Sequence, residues 1–301
     1  MAAPQFIHTI KNTIEDIIGF IFGDIARYRY VYFLRTGKWL NLKNPQDLNE
    51  KFQWIAVNWR NPLITKCADK YLVREYLTEK GCGDILNDLY GAYDRGEDIP
   101  FDTLPEKFAL KCNHGSHMNI ICEDKSSFDK EAAVKQLNEW LRKPYGRGTE
   151  WQYKPIPRKI LAEKYIESKD GSMIEYQLFC FNGKPQFFLV RNDLRNSAAD
   201  KQATQYAVSY TMDWKRIYMR KGEERFYFEL PKPHNYQKMI EYATTLCAEF
   251  PQVRVDFYEI DDRLLFGELT FSSNGNVQTN YKKEYIIELG KRLQLPEPYT
   301  K

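Results

Sequence analysis

The decisive stretch of the sequence reads Val253-Arg254-Val255-Asp256-Phe257 and, after a short gap, Phe266-Gly267-Glu268-Leu269-Thr270. Polar and apolar residues alternate in both segments, which predicts the two strands of an antiparallel hairpin. Arg254 and Asp256 therefore share one face, and Glu268 and Thr270 share one face of the neighbouring strand. Two carboxylates beside an arginine suit Mg²⁺ and a phosphate group. The alternative is a surface Arg–carboxylate pair of little energetic value.

The register of this hairpin decides whether the two carboxylates meet. If Asp256 stands opposite Glu268, then Ile260 faces Leu264. The turn would then hold three residues, 261–263, or the hairpin would contain a bulge. Small polar residues follow the second strand, and further ligands for an ion would lie there.

Composition and charge exclude several classes of protein. The 301-residue chain has 44 Lys and Arg against 41 Asp and Glu, so its formal net charge is +3. A hydrophobic content of 43% supports a large core and excludes a disordered chain. So small a charge argues against binding nucleic acid by bulk electrostatics. The six cysteines are scattered singly, which argues against a zinc ribbon and indicates a protein with reduced thiols.

The N-terminal region is predicted to be helical. From Phe6 to Ile25, apolar residues recur at helical spacing and are interrupted by charged ones, which predicts an amphipathic helix and not a membrane span. Such a helix would dock on its own domain. The alternative is a helix on a membrane surface, which the partly acidic polar face disfavours. Asn-Pro pairs at 44–45 and 61–62 break the helical pattern that follows.

Further along the chain the period changes to that of strands. Short strand candidates, 108–112 and 120–122, flank the turn-rich segment His114-Gly115-Ser116. A helix is predicted over 126–142, beginning at a Ser-x-x-Asp box. Asn182-Gly183 lies between two further strand candidates and is the strongest hairpin signal in the chain. The predicted class is α+β with mixed or antiparallel sheets.

Two of these segments could contact a nucleotide. Lys111 ends a strand that opens into a Gly/Ser loop, whose backbone N–H groups could hold phosphates, although the spacing of a Walker loop is absent. An ordinary hairpin turn is the alternative. His114 and His117 could be a metal pair or could form hydrogen bonds within the loop. Glu163, at the end of an apolar strand, fits an edge segment whose backbone could contact an adenine.

In this order, the segments resemble the ATP-grasp superfamily over residues 69 to 275. Within it, the chain resembles the TupA-like branch, which is named after teichuronopeptide synthesis and found among bacterial surface-polysaccharide genes. The blocks that carry the resemblance are Ala68-Asp69-Lys70-Tyr71-Leu72-Val73-Arg74, Lys111-Cys112-Asn113-His114-Gly115-Ser116, Phe179-Cys180-Phe181-Asn182-Gly183-Lys184-Pro185 and Phe266-Gly267-Glu268-Leu269-Thr270.

The resemblance implies a site for ATP. Lys70 would contact the α-phosphate, and Lys111 would precede the lid loop and act in catalysis. Lys164 and Ile166 would meet adenine through their backbones, and Glu175 would accept a hydrogen bond from a ribose hydroxyl. The nucleotide-binding residues that the resemblance implies are Lys70, Lys111, His114, Gly115, Ser116, Glu163, Lys164, Ile166 and Glu175.

The resemblance also implies a metal site. Arg254 would steady the transferring phosphoryl group as a catalytic residue, and Asp256 and Glu268 would bind Mg²⁺. Many ligases of the superfamily carry Asn where this chain has Thr270. Because a hydroxyl is a weaker Mg²⁺ ligand than an amide carbonyl, a second ion would rely on Asn274 or on water.

The activity implied is that of an ATP- and Mg²⁺-dependent carboxylate–amine ligase. It would phosphorylate a hexuronic acid carboxylate of a surface polysaccharide or its precursor and then join an amino acid or simple amine to it. Arg191, Asp193 and Arg195 are candidates to bind the acceptor carboxylate and the γ-phosphate, and a solvated charged loop is the alternative. Two other functions stay open: a kinase acting on a sugar hydroxyl, and a glycosyltransferase or glycan-binding accessory protein.

Three parts of the chain are expected to divide this work. Residues 1–103 would form the helical N-terminal region and the first subdomain, 104–166 the lid, and 167–301 the subdomain with the metal and substrate sites. ATP would lie between the lid and the larger lobe. The expected location is the cytoplasm, with weak contact between the N-terminal helix and the inner face of the membrane.

Overall fold

The structure is a computed structural model that describes residues 3–146, 150–168, 173–192 and 206–300. The helices of these residues are α1 (Ala3–Thr36), α2 (Leu48–Asn58), α3 (Pro62–Ala68), α4 (Val73–Glu79), α5 (Lys130–Arg142), α6 (Tyr236–Cys247) and α7 (Lys283–Arg292). The strands are β1 (Leu89–Tyr93), β2 (Phe108–Cys112), β3 (Asn119–Cys122), β4 (Ile160–Lys164), β5 (Ile174–Phe181), β6 (Lys184–Asn192), β7 (Ala207–Thr211), β8 (Arg216–Ile217), β9 (Gln252–Ile260) and β10 (Arg263–Thr270).

Two compact units make up the chain. The first contains residues 1–60, 147–151 and 272–301, and the second contains 61–146 and 152–271. Every described strand belongs to the second unit. The predicted α+β class is therefore confirmed. The three-part division of the chain stays a prediction.

Helix α1 of the first unit changes character along its length. Gly23 interrupts it with a φ of 82°, in the left-handed region that glycine tolerates. Beyond this point, Tyr28 and Tyr32 are buried in a small core with Leu40 and Val277. Over residues 13–25, in contrast, large apolar side chains are exposed, so the expectation that this stretch docks on its own domain is wrong. In the described part of the chain, no helix combines the length and apolarity needed to cross a lipid bilayer.

The first sheet of the second unit has the order β1-β4-β2-β3, with antiparallel neighbours throughout. Its core contains Phe108, Ile160 and, from helix α5, Leu137. The predicted start of α5 at Ser126 is wrong. Asp124 accepts hydrogen bonds from the backbone and hydroxyl of Ser126 and holds it in a turn, and the helix begins at Lys130 instead.

The second sheet has the order β10-β9-β5-β6-β7-β8, and helix α6 packs on it. The predicted β5–β6 hairpin is confirmed, because Asn182 and Gly183 take positive φ angles of 53° and 70° in a two-residue turn. All six cysteines are described and buried, and none forms a disulfide.

The β9–β10 hairpin corrects one prediction and confirms its alternative. Ile260 pairs with Arg263 and not with Leu264, so the turn holds two residues, Asp261 and Asp262, both at positive φ. The three-residue turn is therefore wrong. The register shifts by one residue between Phe266 and Leu269, which is the bulge that the sequence also allowed.

Candidate active site

A cavity of about 430 Å³ opens between the two sheets of the second unit. Lys111 and Glu163 line it from the four-stranded sheet. Glu175, Arg254 and Glu268 line it from the six-stranded sheet. The residues singled out from the sequence thus come together around one space, although they lie far apart along the chain.

Arg254 holds both predicted metal carboxylates. Its Nε lies 2.7 Å from Oδ1 of Asp256, and its Nη2 contacts Oδ2 of the same residue. That Nη2 also lies 3.2 Å from Oε1 of Glu268. The carboxyl groups of Asp256 and Glu268 therefore face the same side of the sheet and meet at one guanidinium group.

Thr270 completes this group. Its hydroxyl donates to Oε1 of Glu268 at 2.7 Å and accepts from Nη2 of Arg254 at 3.1 Å. The side chain therefore fixes the orientation of Glu268.

The bulge explains why Glu268 can reach this face. With a two-residue turn and a regular ladder, Glu268 would stand opposite Val255 and point to the other side of the sheet. The bulge instead sets Gly267 and Glu268 together opposite Asp256. A Cβ at Gly267 would lie 3.0 Å from the carbonyl oxygen of Asp256, so the close approach of the strands favours glycine here.

Burial dominates the electrostatics of Asp256. Its side chain is 0% exposed. Burial, assisted by the neighbouring carboxylates Glu175 and Glu268, raises the pKa of Asp256 to about 8 in spite of the opposing effect of Arg254. Burial therefore favours the protonated form of this carboxyl group in the metal-free protein.

The donor set around Asp256 fits a magnesium ion. Among the described residues, no group of three His, Cys, Asp or Glu side chains is arranged as a complete metal site. Mg²⁺ commonly takes only one or two protein carboxylates and completes its shell with water and phosphate oxygens. Asp256 and Glu268 would supply those two carboxylates. Their role as ligands stays a prediction.

Lys111 is paired on the opposite wall. Its Nζ lies 2.9 Å from Oε2 of Glu163, which is buried. Burial favours a higher pKa for Glu163, but Lys111 and further partners outweigh it and leave the pKa of that carboxyl lowered. Glu163 thus holds a lysine in the cavity wall, a contact that its place in the sequence did not reveal.

Only part of the backbone of the predicted adenine-binding segment is open to a ligand. The backbone amide of Lys164 donates to the carbonyl of Asp88 at 2.9 Å. The carbonyl of Lys164 accepts from the side-chain amide of Asn87 at 2.8 Å. A carbonyl has a second lone pair, so this one can still accept from an adenine amino group. Ile166 lines the cavity as well.

The loop after Lys111 is anchored at several points. Lys70 donates from Nζ to the carbonyl of Gly115 at 2.6 Å. Ser116 and Tyr145 share a hydrogen bond of 2.8 Å between their hydroxyls. The ring of Tyr145 also covers Gly115 so closely that a Cβ there would lie 2.7 Å from it. Sequence reasoning missed Tyr145, which lies in a Pro/Gly-rich stretch without periodicity.

Asn113 anchors the base of the same loop. It is fully buried, donates to Oδ1 of Asp69 at 2.8 Å, and accepts from the backbone amide of Lys159 at 2.7 Å. Asp69 and Asn113 both lie inside the blocks that carry the family resemblance. Their polar side chains within apolar surroundings were the signal that could have identified them.

The two histidines of the loop occupy different environments. His114 is buried, and this burial, with the nearby cations Arg158 and Lys70, lowers its pKa. His117 lies at a positive φ of 59° and lines the cavity. A phosphate contact by the ring of His114 stays a prediction, and His117 is a second candidate that the sequence did not rank.

The remaining predicted residues lie on the six-stranded sheet or outside it. Glu175 is buried, pairs across the sheet with Arg191 and Tyr258, and has a carboxylate oxygen 4.0 Å from Nη1 of Arg191. Asp193 and Arg195 lie outside the described residues. Asn274 belongs to the first unit, and its side-chain amide donates to the carbonyl of Val277. The roles predicted for these residues are untested.

Comparison with known proteins gives a family. The model of the TupA-like ATP-grasp family matches residues 50–294, which is most of the chain. No curated protein matches the sequence.

Solved structures give more distant likenesses. The chain is similar to D-alanine–D-alanine ligase from Bacillus anthracis complexed with ATP, at 16% identity and a TM-score of 0.40, covering 75% of this chain and 65% of that one. It is similar to an L-amino acid ligase from Bacillus licheniformis at 12% identity and a TM-score of 0.43, covering 70% of this chain and 44% of that one. It is also similar to N5-carboxyaminoimidazole synthase from Aspergillus clavatus at 14% identity and a TM-score of 0.41, covering 77% of this chain and 52% of that one. The chain thus spans less than two thirds of each of these proteins.

Proposed function

This chain belongs to the TupA-like ATP-grasp family, and we propose that it is an ATP- and Mg²⁺-dependent carboxylate–amine ligase. Its acid substrate is a hexuronic acid carboxylate of a bacterial surface polysaccharide or its precursor. Its second substrate is an amino acid or a simple amine. The reaction passes through an acyl phosphate.

The observation that carries this proposal is the division of charge across the cavity. On one side, Lys70, Lys111 and Lys164 outnumber Glu163, so that wall attracts an anion. On the other side, the acids Glu268 and Glu175 line the cavity beside Arg254 and Arg191, and the buried carboxyl group of Asp256 contacts Arg254. A polyphosphate carrying a divalent cation matches both walls at once.

Residues of both walls have defined tasks in this mechanism. Lys70 and Lys111 would bind phosphate oxygens and position them, which is the main contribution that a protein makes to phosphoryl transfer. Mg²⁺, held by Asp256 and Glu268, would supply charge neutralisation on the phosphates. Arg254 would hold the transferring group through its guanidinium fork, which Thr270 and Glu268 keep in place.

The bonds formed and broken follow from this arrangement. A carboxylate oxygen of the uronic acid attacks the γ-phosphorus, and the bond from phosphorus to the ADP oxygen breaks. The amine then adds to the acyl carbon, loses a proton, and expels phosphate as the C–O bond breaks. Water must be excluded between these steps, and the anchored loop at Gly115 and Ser116 would cover the phosphates for that purpose.

The choice of a uronic acid rests on the polysaccharide branch of the family and on Arg191. This guanidinium lines the cavity, and its Nη1 lies 4.0 Å from a carboxylate oxygen of Glu175. It would bind a substrate carboxylate. Asp193 and Arg195 are proposed as further contacts. The cytoplasm is the proposed location.

An isotope experiment tests the reaction directly. Uronic acid labelled with ¹⁸O in its carboxylate is incubated with ATP, Mg²⁺ and a panel of amines. The ligase predicts that one ¹⁸O atom appears in inorganic phosphate for each amide formed. Transfer of phosphate to the sugar without amine would favour the kinase instead.

The remaining alternative, a glycosyltransferase or glycan-binding accessory protein, predicts a different result. If neither ATP consumption nor an ATP-dependent shift in melting temperature occurs, that alternative is favoured.

Lys107→Ala is a control for nonspecific effects of mutation in these assays, because Lys107 is exposed and pairs with Glu167 outside the proposed chemistry.

A further inference from the structure

The N-terminal half of α1 exposes an unusual amount of apolar surface. Over residues 13–25 the exposed side chains are those of Ile14, Ile17, Phe20, Ile21, Phe22 and Ile25. Phe20 is 92% exposed. Isolated exposed apolar residues are normal, but six within 12 residues of the chain indicate an interaction surface.

The sequence of this helix has the period of a coiled coil. Isoleucines occupy positions 7, 10, 14, 17 and 21, which alternate in steps of three and four residues. They therefore fall in order on a, d, a, d and a positions of a heptad repeat. The stripe stops at Ile21, shortly before Gly23 interrupts the helix, and Asp24 beyond it pairs with Arg27 and Arg60 of its own unit. The stripe thus ends where α1 begins to pack on its own unit.

The area on this stripe is sufficient for a specific contact. The described isoleucines of the stripe are Ile14, Ile17 and Ile21. Together with Phe20, which flanks them at a g position, they offer roughly 500 Å² of apolar surface per chain, or about 1,000 Å² for each pair of helices. Specific interfaces begin at about this size.

Charge identifies what covers the stripe. Residues 7–21 contain Lys11, Glu15 and Asp16, so their formal net charge is −1. An anionic membrane surface would not attract such a segment. At the e and g positions of residues 7–21 stand Lys11, Thr13, Ile18 and Phe20. In a parallel bundle an e position faces the g position of the preceding heptad, so Lys11 faces Phe6 of the next helix and not a like charge. Copies of the helix can therefore align without opposing like charges, since the acids at b and c point away from the seam.

We infer that the protein self-associates through residues 7–21 of α1, with further copies of this chain covering the isoleucine stripe. Isoleucine at both a and d favours three or four helices over two, so the assembly contains more than two copies. The inference does not depend on the proposed ligase activity, because α1 belongs to the first unit and the candidate active site lies in the second.

Sedimentation velocity of the full chain tests this inference. The protein is expected to sediment at three or four times the 35.7 kDa mass of one chain. The double variant Ile17→Asp, Ile21→Asp should sediment as a monomer, because it places acids at adjacent d and a positions. Phe22→Asp is the matched control. Phe22 is as exposed and as apolar, but it lies at a b position and should leave the assembly intact.

Circular dichroism and melting temperature establish that the variants are folded, which is expected because the changed side chains are exposed. Three outcomes would overturn the inference. The first is a monomeric protein throughout the micromolar range. The second is equal dissociation by Phe22→Asp and by the double variant. The third is a monomer that floats with vesicles containing anionic phospholipid, which would assign the stripe to a lipid surface.

Discussion

Two acid–cation pairs, one on each sheet beside the cavity, differ in how the pKa of the acid is shifted. In each pair a buried acid contacts a cation: Glu163 contacts Lys111, and Asp256 contacts Arg254. On the four-stranded sheet, the cation outweighs burial and the pKa of Glu163 is lowered. On the six-stranded sheet, burial and neighbouring acids outweigh the cation, and the pKa of Asp256 is raised to about 8.

The difference lies in the number of acids per cation. Lys111 is held by one carboxylate, whereas Arg254 is shared by Asp256, Glu268 and the hydroxyl of Thr270. A group of acids around one cation gains stability from an added metal ion, and a wall with more lysines than acids gains stability from an added anion. Mutations on the two walls should therefore differ in their effects on turnover and on ATP affinity.

The largest effect is expected for Asp256→Asn. We expect a loss of about 10³-fold or more in kcat for ATP turnover, because the charge that would hold Mg²⁺ is removed. Nucleotide affinity measured without metal should change little, since the segment predicted to contact adenine is unchanged. Asp262→Asn in the turn of the same hairpin is the control and should keep normal turnover. Equal activity of both variants would remove Asp256 from the mechanism.

A smaller and different loss is expected for Lys111→Ala. Removal of one cation that stabilises charge should reduce kcat about 10²–10³-fold. In contrast to Asp256→Asn, this variant should also bind ATP more weakly, which isothermal titration would measure. Lys107→Ala near the start of the same strand is the control. Near-normal turnover in Lys111→Ala would show that the loop lysine has no catalytic part.

The opposite pKa shifts predict opposite dependence of stability on pH in metal-free protein. Between about pH 4 and pH 8 the folded protein keeps a proton on Asp256 that the unfolded chain has lost, so the free energy of unfolding falls as pH rises, by up to about 1.4 kcal/mol per unit. The lowered pKa of Glu163 has the reverse effect: its contribution is present above the unfolded pKa of about 4.3 and is lost as pH falls below it.

Urea unfolding at a series of pH values separates the two contributions. Asp256→Asn should flatten the slope between pH 4 and pH 8. Glu163→Gln should flatten the slope on the acid side only. If Asp256→Asn leaves the profile unchanged, the buried acid is already ionised in the folded protein.

The smallest effect is expected for Thr270→Val. The change keeps the shape of the side chain but removes the hydroxyl that orients Glu268, so kcat should fall by about tenfold. Thr270→Ser restores the hydroxyl and should recover most of the loss. Normal turnover in Thr270→Val would show that Arg254 alone is sufficient to position Glu268. A loss that Thr270→Ser does not restore would show that the hydroxyl is not the cause of the loss.

The sequence predicted the strands around the site well, because their signals are local. Alternation defined β9 and β10, and Asn182-Gly183 defined the β5–β6 turn. The register of β9 against β10 was not determined by alternation. A three-residue turn and a bulge place Glu268 on the same face, and only the packing of Gly267 against Asp256 distinguishes them.

Contacts between distant segments were beyond sequence reasoning. Tyr145 meets the loop at Gly115 and Ser116 from a stretch that has no periodic pattern. Likewise, a single sequence gives no sign that His117 and not His114 lines the cavity. Burial of one histidine and exposure of the other result from how the loop folds over Asn113, and this is a property of the tertiary structure.

The bulge at Gly267 has a consequence for comparing relatives of this protein. The ladder on either side of it pairs as it would if one residue were missing, because two residues stand opposite Asp256. A homologue one residue shorter at this point would keep both halves of the hairpin in register. In an alignment, a single gap between Phe266 and Leu269 therefore marks the evolutionary loss or gain of a bulge beside the acidic site. Such a gap need not be shifted into the exposed turn, where residues could be added without altering the strand pairing.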